Sequence, residues 1–185
     1  MKKQDFLHSI SNSYSESEKS FLFNYIEREK PELSYLEIVR RLNENEPIDY
    51  ILGYTYFYSN KIEVSPDTLI PRPETEELVS EIVKEYSNIE NLKVLDIGTG
   101  SGCIALSLAK ELSNADITAI DVSEKALTVA RKNATINNQN INFLCLDILN
   151  EEDWSKLGSF DLIVSNPPYV LDSELNTMSK SVVDY

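Results

Sequence analysis

Histidine is almost missing from this chain: His8 is the only one, and it lies near the N-terminus, far in sequence from every motif described below. Imidazole acid–base catalysis and a histidine-ligated zinc site are therefore disfavoured. Cysteine is nearly as scarce. Cys103 and Cys145 have no metal-ligand spacing and are too few to staple a secreted fold, so both read as reduced core residues. Nowhere do about 18 apolar residues follow one another, and Met1-Lys2-Lys3 leads into Gln4 and Asp5 rather than an apolar run, so a soluble, cytoplasmic protein without a membrane span is expected. Basic residues number 17 against 31 acidic ones, and the net charge of -14 repels phosphate backbones and argues against nonspecific nucleic-acid binding.

What is present is an ordinary globular composition, 42% hydrophobic and 26% charged, enough for one sizeable core in 185 residues. To about Asn45 the chain reads as short amphipathic helices. Ser15-Glu16-Ser17-Glu18 and Ser34-Tyr35-Leu36-Glu37 match the capping box, after which Phe21, Leu22, Tyr25 and Ile26, and then Leu36, Val39 and Leu42, are expected to share helix faces. Pro47, Gly53 and alternation through Tyr54-Thr55-Tyr56-Phe57 favour extended chain, with Ser59-Asn60 as a turn into Lys61-Ile62-Glu63-Val64. Leu69-Ile70-Pro71-Arg72-Pro73 cannot be helical before its prolines, but Pro73 suits a first helical turn, and Leu78, Ile82 and Tyr86 then predict a helix over about 74–86.

From Leu92 the rhythm changes to alternating strand and helix: strands at 93–97, 116–120, 141–146 and 160–164, helices at 103–112 and 123–137, and a polar turn at 151–156. That alternation implies α/β architecture, a parallel sheet with helices on both faces. The expected organisation is a helical domain over 1–52, a β-hairpin linker over 53–70 and an α/β domain over 71–185.

Gly98-Thr99-Gly100-Ser101-Gly102 places three alternate glycines between a strand and a helix, where the backbone must turn sharply and approach a ligand closely. A dinucleotide fingerprint would want glycine where Cys103 stands, so the spacing favours a nucleoside without pyrophosphate. Asp121, ending the next strand, can accept both hydroxyls of a ribose; its competing reading is a helix cap. Asp147, after the third strand, stands where an adenine ring is commonly met, or is a strand-end turn residue. Asp96 either orients the loop backbone or faces the sulfonium end of the ligand.

Asn166-Pro167-Pro168-Tyr169 follows the fourth strand, which in a doubly wound sheet lies beside the first, so its carboxyl end opens onto the same crevice as the glycines. The motif could merely terminate a strand. In that crevice, however, the Asn166 oxygen and the Pro167 carbonyl can accept the two N–H bonds of a planar amide or amine, hold the nitrogen on line with a methyl donor and favour its developing positive charge. The prolines fix the backbone, and Tyr169 can stack on the planar group.

Taken in order, Leu69 to Glu76, the Gly98 to Gly102 loop and Asn166 to Tyr169 resemble the peptide chain release factor glutamine methyltransferases, from about Glu46 to the last residue. The resemblance implies a Rossmann-like class I methyltransferase sheet, S-adenosyl-L-methionine as cofactor, and methylation of the glutamine side-chain amide in the Gly-Gly-Gln motif of release factors. It implies cofactor binding by Gly98, Thr99, Gly100, Ser101, Gly102 and Asp121, and substrate binding by Asn166, Pro167, Pro168 and Tyr169, with Asn166, Pro167 and Tyr169 catalytic. The helical domain would recognise the substrate, and no metal, membrane or direct nucleic-acid partner is implied. Arg72-Pro73-Glu74-Thr75-Glu76 separates the chain from the related ribosomal-protein glutamine methyltransferases. Similar enzymes continue past Asn166-Pro167-Pro168-Tyr169 into further strands, whereas only four strands are expected here, so the chain reads as truncated and is expected to fold poorly or bind cofactor weakly alone. Two rivals stand beside this reading: a nucleic-acid adenine or cytosine amino-methyltransferase, which shares the Asn-Pro-Pro-Tyr motif and must flip its base, and a noncatalytic cofactor-binding adaptor.

Overall fold

The computed structural model describes residues 2–167, which divide into two compact units with the boundary between Gly53 and Tyr54. The first unit is helical: α1 Lys3–Ser9, α2 Glu16–Glu29, α3 Tyr35–Asn43 and α4 Ile48–Leu52. α2 starts on a complete capping box, with Ser15 Oγ accepting from the Glu18 N–H and Glu18 accepting from the Ser15 N–H at 2.7 Å. At α3 only half of the box forms. Ser34 Oγ accepts from the Glu37 N–H, but the Glu37 carboxylate turns forward to Arg40, whose charged fork is the stronger donor.

The helix faces are rotated from the expected ones. Leu22 and Ile26 are buried while Phe21 is exposed and stacks on Tyr25; Ile38, Val39 and Leu42 are buried while Leu36 is 78% exposed. A step of one residue turns a helix by about 100°, so Phe21 and Leu36 fall off stripes set by their neighbours. Those stripes close with Phe6, Ile10 and Ile51 into one core. α4 replaces the extended chain expected after Pro47: the proline stands at the N-cap and Gly53, at φ +79°, ends the turn in the left-handed conformation. Proline and glycine here bracket one helical turn.

The second unit opens with the hairpin β1 Tyr54–Phe57 and β2 Asn60–Glu63, paired Phe57 to Asn60. The turn is Tyr58-Ser59, one residue earlier than expected, with φ +45° and +63°. Two consecutive positive φ values suit the twist of a two-residue hairpin. Asn60 is drawn out of the turn because its side chain is buried and donates to Ser107 Oγ at 3.2 Å.

α5 Pro73–Tyr86 carries proline in its first turn, as expected, and buries Thr75, Val79 and Ile82, with Leu78 on the exposed side. The sheet contains β3 Lys93–Ile97, β4 Asp116–Asp121, β5 Asn142–Cys145 and β6 Leu162–Ser165, joined through α6 Cys103–Glu111, α7 Glu124–Ile136 and a 3-10 turn at Glu151–Lys156. Its order is β5-β4-β3-β6, all parallel, so the fourth strand of the sheet does lie beside the first. Val94, Leu95, Ala119 and Ile120 from the strands and Ile104 to Leu108 from α6 are buried, each large apolar side chain contributing roughly 1.5–3 kcal/mol. β6 is a sheet edge among the described residues, with Ile163 61% exposed. No helix among the described residues is long and apolar enough to cross a membrane.

Candidate functional site

The chain runs from β3 through α6 to β4, on one side of β3, and returns to β6 on the other. The strand order therefore reverses at β3, and a crevice is expected at the carboxyl ends of β3 and β6. A cleft of about 520 Å³ lies there. Gly98, Gly100, Asp121, Asp147, Asn166 and Pro167 all line it.

The glycine loop is held by its own backbone and by one carboxylate. The Gly98 and Thr99 N–H groups both donate to the Ile120 carbonyl, at 2.9 and 3.0 Å, which ties the end of β3 to the end of β4. Gly98, Gly100 and Gly102 take φ values of +70°, +56° and +81°, conformations open to glycine. At Gly98 a Cβ would meet nothing within 4 Å, so the absent side chain leaves open space on the cleft wall. Gly102 does other work: a Cβ there would stand 3.2 Å from Ala130 Cβ and 3.3 Å from Leu106 Cδ1, so this glycine lets α6 and α7 approach and is not among the residues lining the cleft.

Asp121 accepts from the Gly100 N–H through Oδ2 and from the Ser123 N–H through Oδ1, each at 2.9 Å. Its carboxylate braces the loop while remaining on the cleft wall. The cap of α7 is Ser123, whose Oγ accepts from the Ala126 N–H. Asp147 is exposed at the far end of the cleft and accepts from the Leu149 N–H at 2.9 Å, a turn bond of its own.

Thr99 and Ser101 line a small recess beside the cleft, shared with Arg72, Thr75 and Asn166. Thr99 donates its hydroxyl to Asp96 Oδ2 at 2.6 Å. Asp96 is 1% exposed, and its Oδ1 has no hydrogen-bond partner among the described residues. Burial pushes its pKa up to about 6; the Thr99 hydroxyl and the Ala105 N–H oppose that rise, and the Asp121 charge adds to it. Burial likewise pushes the neighbouring Cys103 thiol up to about 12, with Asp96 adding to it, so this sulfur is no nucleophile. Cys145 is exposed, not a core residue as the sequence suggested; it ends β5, an edge of the sheet among the described residues.

At the end of β6, Asn166 is half-buried and its Nδ2 donates to Thr75 Oγ1 at 2.9 Å. Pro168 and Tyr169 lie outside the described residues. Several contributors to the site were not among the candidate residues, and of these Leu69 lay in a motif that the sequence did single out. Thr68 and Leu69 line the cleft together with Asp67, which pairs with Lys125 of α7 at 3.4 Å; Val122 and Leu149, 69% and 88% exposed, add apolar wall. For Asp67 and Thr68 the turn at Ser65-Pro66-Asp67-Thr68 was the one available hint. Among the described residues the ionisable ones lining the cleft are Asp67, Asp121 and Asp147, all acidic. Among the described residues no group of three His, Cys, Asp or Glu side chains could hold a metal ion.

Residues 74–183 match the methyltransferase small domain family. The chain is 53% identical over 156 residues to a release factor glutamine methyltransferase of Flavobacterium psychrophilum, covering 83% of this chain and 54% of that protein. It is 48% identical over 149 residues to the release factor glutamine methyltransferase of Lactococcus lactis, covering 80% of this chain and 53% of that protein. The chain thus spans about half the length of the curated relatives it matches. A solved S-adenosylmethionine-dependent methyltransferase from Agrobacterium tumefaciens shares the fold, with a TM-score of 0.50 and 21% identity over 59% of this chain and 36% of that one.

Proposed function

We propose, from the premise that this chain belongs to the methyltransferase small domain family, that it methylates the side-chain amide nitrogen of the glutamine in the Gly-Gly-Gln motif of peptide chain release factors. The observation that carries this reading is the meeting of Asn166 with Gly98, Gly100 and Asp121 in one cleft at the strand-order reversal. Relatives named release factor glutamine methyltransferase, at 53% and 48% identity, support a release factor glutamine as the substrate.

The residues present fit S-adenosyl-L-methionine. The open space beside Gly98 admits close backbone approach, Asp121 offers carboxylate oxygens to a ribose, and Val122 and Leu149 offer apolar surface to a flat ring. Gly98, Gly100, Asp121 and Asp147 would hold it, with Thr99 and Ser101 shaping the loop. When bound, it supplies an electrophilic methyl group on a sulfonium.

The protein's own contribution is positioning and charge. Asn166 Oδ1 and the Pro167 carbonyl accept the two N–H bonds of the substrate amide, which fixes the nitrogen and stabilises the positive charge that grows on it as its lone pair is used. Pro167 fixes the backbone that bears one acceptor, and Pro168 and Tyr169, which lie outside the described residues, are assigned to substrate binding with it. An amide nitrogen is deprotonated easily once methylated, so the proton passes to water without a dedicated base. The acidic lining of the cleft disfavours a nucleic-acid substrate, whose phosphates it would repel. We assign the helical residues 1–52 to recognition of the release factor, and the reaction to the cytoplasm, where release factors act.

The test uses the protein at its natural full length, labelled S-adenosyl-L-methionine, and purified release factor or bare nucleic acid as acceptor. Label is expected on the glutamine of release factor alone, and Asn166→Ala is expected to slow transfer by roughly 10² to 10³ with cofactor affinity nearly unchanged. Label on nucleic acid, or on neither acceptor, would overturn the reading.

A further inference from the structure

Thr75 stands between two glutamates in the first turn of α5, yet it is only 7% exposed while Glu74 is exposed. Its Oγ1 accepts from Asn166 Nδ2 at 2.9 Å, linking residues 91 positions apart. We propose that Thr75 is a positioning residue for methyl transfer: its hydroxyl holds the Asn166 amide in place for the meeting of Oδ1 with the substrate N–H. The inference rests on the function proposed above.

The chemistry of an amide makes such a device necessary. Its two ends are almost equal in size but opposite in hydrogen-bonding sense, one an acceptor and the other a double donor. Turned by half a rotation, Asn166 would aim N–H at N–H and repel the group it must hold. Packing alone holds a half-buried amide loosely; a hydrogen bond to a fixed hydroxyl holds it in one place.

Thr75 is suited to be that hydroxyl because it is held on three sides. Its branched Cβ restricts χ1. Pro73 fixes the start of the helix, and the Thr75 N–H donates to the Arg72 carbonyl at 3.0 Å. Glu76 accepts from the Tyr58 N–H at 2.8 Å and so pins the same turn to the β-hairpin. The neighbouring recess is lined by Arg72, Thr75 and Asn166 together with the glycine loop, so the hydroxyl lies beside the reacting region without belonging to the group that touches the substrate.

Thr75→Val keeps the shape and removes the acceptor; Thr75→Ser keeps the acceptor. In the full-length protein, with S-adenosyl-L-methionine and release factor, Thr75→Val is expected to lower kcat roughly tenfold to a hundredfold, with the cofactor dissociation constant changed less than about twofold, and Thr75→Ser to recover most of the rate. The side-chain amide resonances of Asn166, followed by NMR in the absence of substrate, should move in Thr75→Val and stay near their wild-type positions in Thr75→Ser. Wild-type kcat in Thr75→Val, a serine variant as slow as the valine one, or unmoved Asn166 resonances would each overturn the proposal. A wild-type protein that methylates no release factor, but whose Asn166 resonances respond to the two variants as described, would overturn the substrate reading and leave the positioning role of Thr75 standing.

Discussion

Asn133 and Glu63, 70 positions apart, exchange two hydrogen bonds: the Glu63 N–H donates to Asn133 Oδ1 at 2.7 Å, and Asn133 Nδ2 donates to the Glu63 carbonyl at 2.9 Å. The same Nδ2 donates to the Ser101 carbonyl at 2.9 Å, inside the glycine loop. A fully buried side chain on α7 thus holds the end of the hairpin and the glycine loop together. Asn133→Leu would take away the partner of three backbone groups, the Glu63 N–H and carbonyl and the Ser101 carbonyl. Each stranded group costs about 1–3 kcal/mol, so a loss of about 3 kcal/mol or more is expected. Urea unfolding would show it as a lower midpoint, and cofactor affinity should fall with it because Ser101 loses its anchor; an unchanged midpoint would refute the bridging role.

The two ends of the glycine loop should respond differently to a methyl group. Gly98 and Gly102 both have positive φ, so alanine at either is strained by roughly 1–2 kcal/mol. At Gly102 the new Cβ also collides with Ala130 and Leu106, overpacking that adds about 1 kcal/mol or more, whereas at Gly98 it points into open space on the cleft wall. Gly102→Ala is expected to lose more stability than Gly98→Ala, and Gly98→Ala to lose more cofactor affinity for each unit of stability lost. Unfolding curves and calorimetric titration of the two variants check both halves of this ordering.

Asp96 makes part of the stability depend on pH. In the folded protein it keeps its proton up to about pH 6, while in the unfolded chain it releases it near about 3.9. The folded state therefore binds more protons between those values. The stability Asp96 contributes is fully present below about pH 4 and is lost as pH rises through about 6, a change on the order of 3 kcal/mol, flat above that. Glu18, Glu37 and Asp153 are shifted the other way by their hydrogen-bond partners and partly mask the trend. Asp96→Asn, which can still accept from Thr99, isolates it: the difference in urea midpoint between wild type and variant should favour the variant increasingly from pH 4 to pH 7. A difference independent of pH would mean that Asp96 titrates normally.

The parts of this architecture that were legible in the sequence are those fixed locally. Short apolar strands followed by glycine or by Asn-Pro announced β3 and β6, and their adjacency followed from the strand order of a doubly wound sheet. Register and orientation were less legible. Tyr58-Ser59 rather than Ser59-Asn60 makes the hairpin turn because Asn60 has a partner at Ser107, 47 positions later. Phe21 and Leu36 stay outside because which of several apolar residues is buried depends on the neighbouring helix. At the site, Gly98, Gly100, Asp121, Asp147, Asn166 and Pro167 come together on one wall. Asn133 gave no signal, since its partners lie 32 and 70 positions away, and Thr75 lay inside the Arg72 to Glu76 motif with nothing to mark its partner 91 positions away.

Asp121 is where the structural and ligand-binding readings of one residue can be separated. Because Ser123 caps α7 itself, Asp121→Ala should leave that helix intact while freeing the Gly100 N–H and removing the acceptors offered to a ribose. Hydrogen bonds to a charged group contribute about 1.5–3 kcal/mol each, and about 1.4 kcal/mol is a factor of ten, so affinity for S-adenosyl-L-methionine should drop tenfold or more. Asp121→Asn is the sharper probe: its oxygen can satisfy the N–H of either Gly100 or Ser123, but its NH2 then faces the other as donor against donor. Affinity between those of wild type and alanine is expected by calorimetric titration, with the circular dichroism of all three proteins superimposable. If the alanine variant binds as tightly as wild type, the carboxylate serves only to brace the loop and the ribose must be held elsewhere.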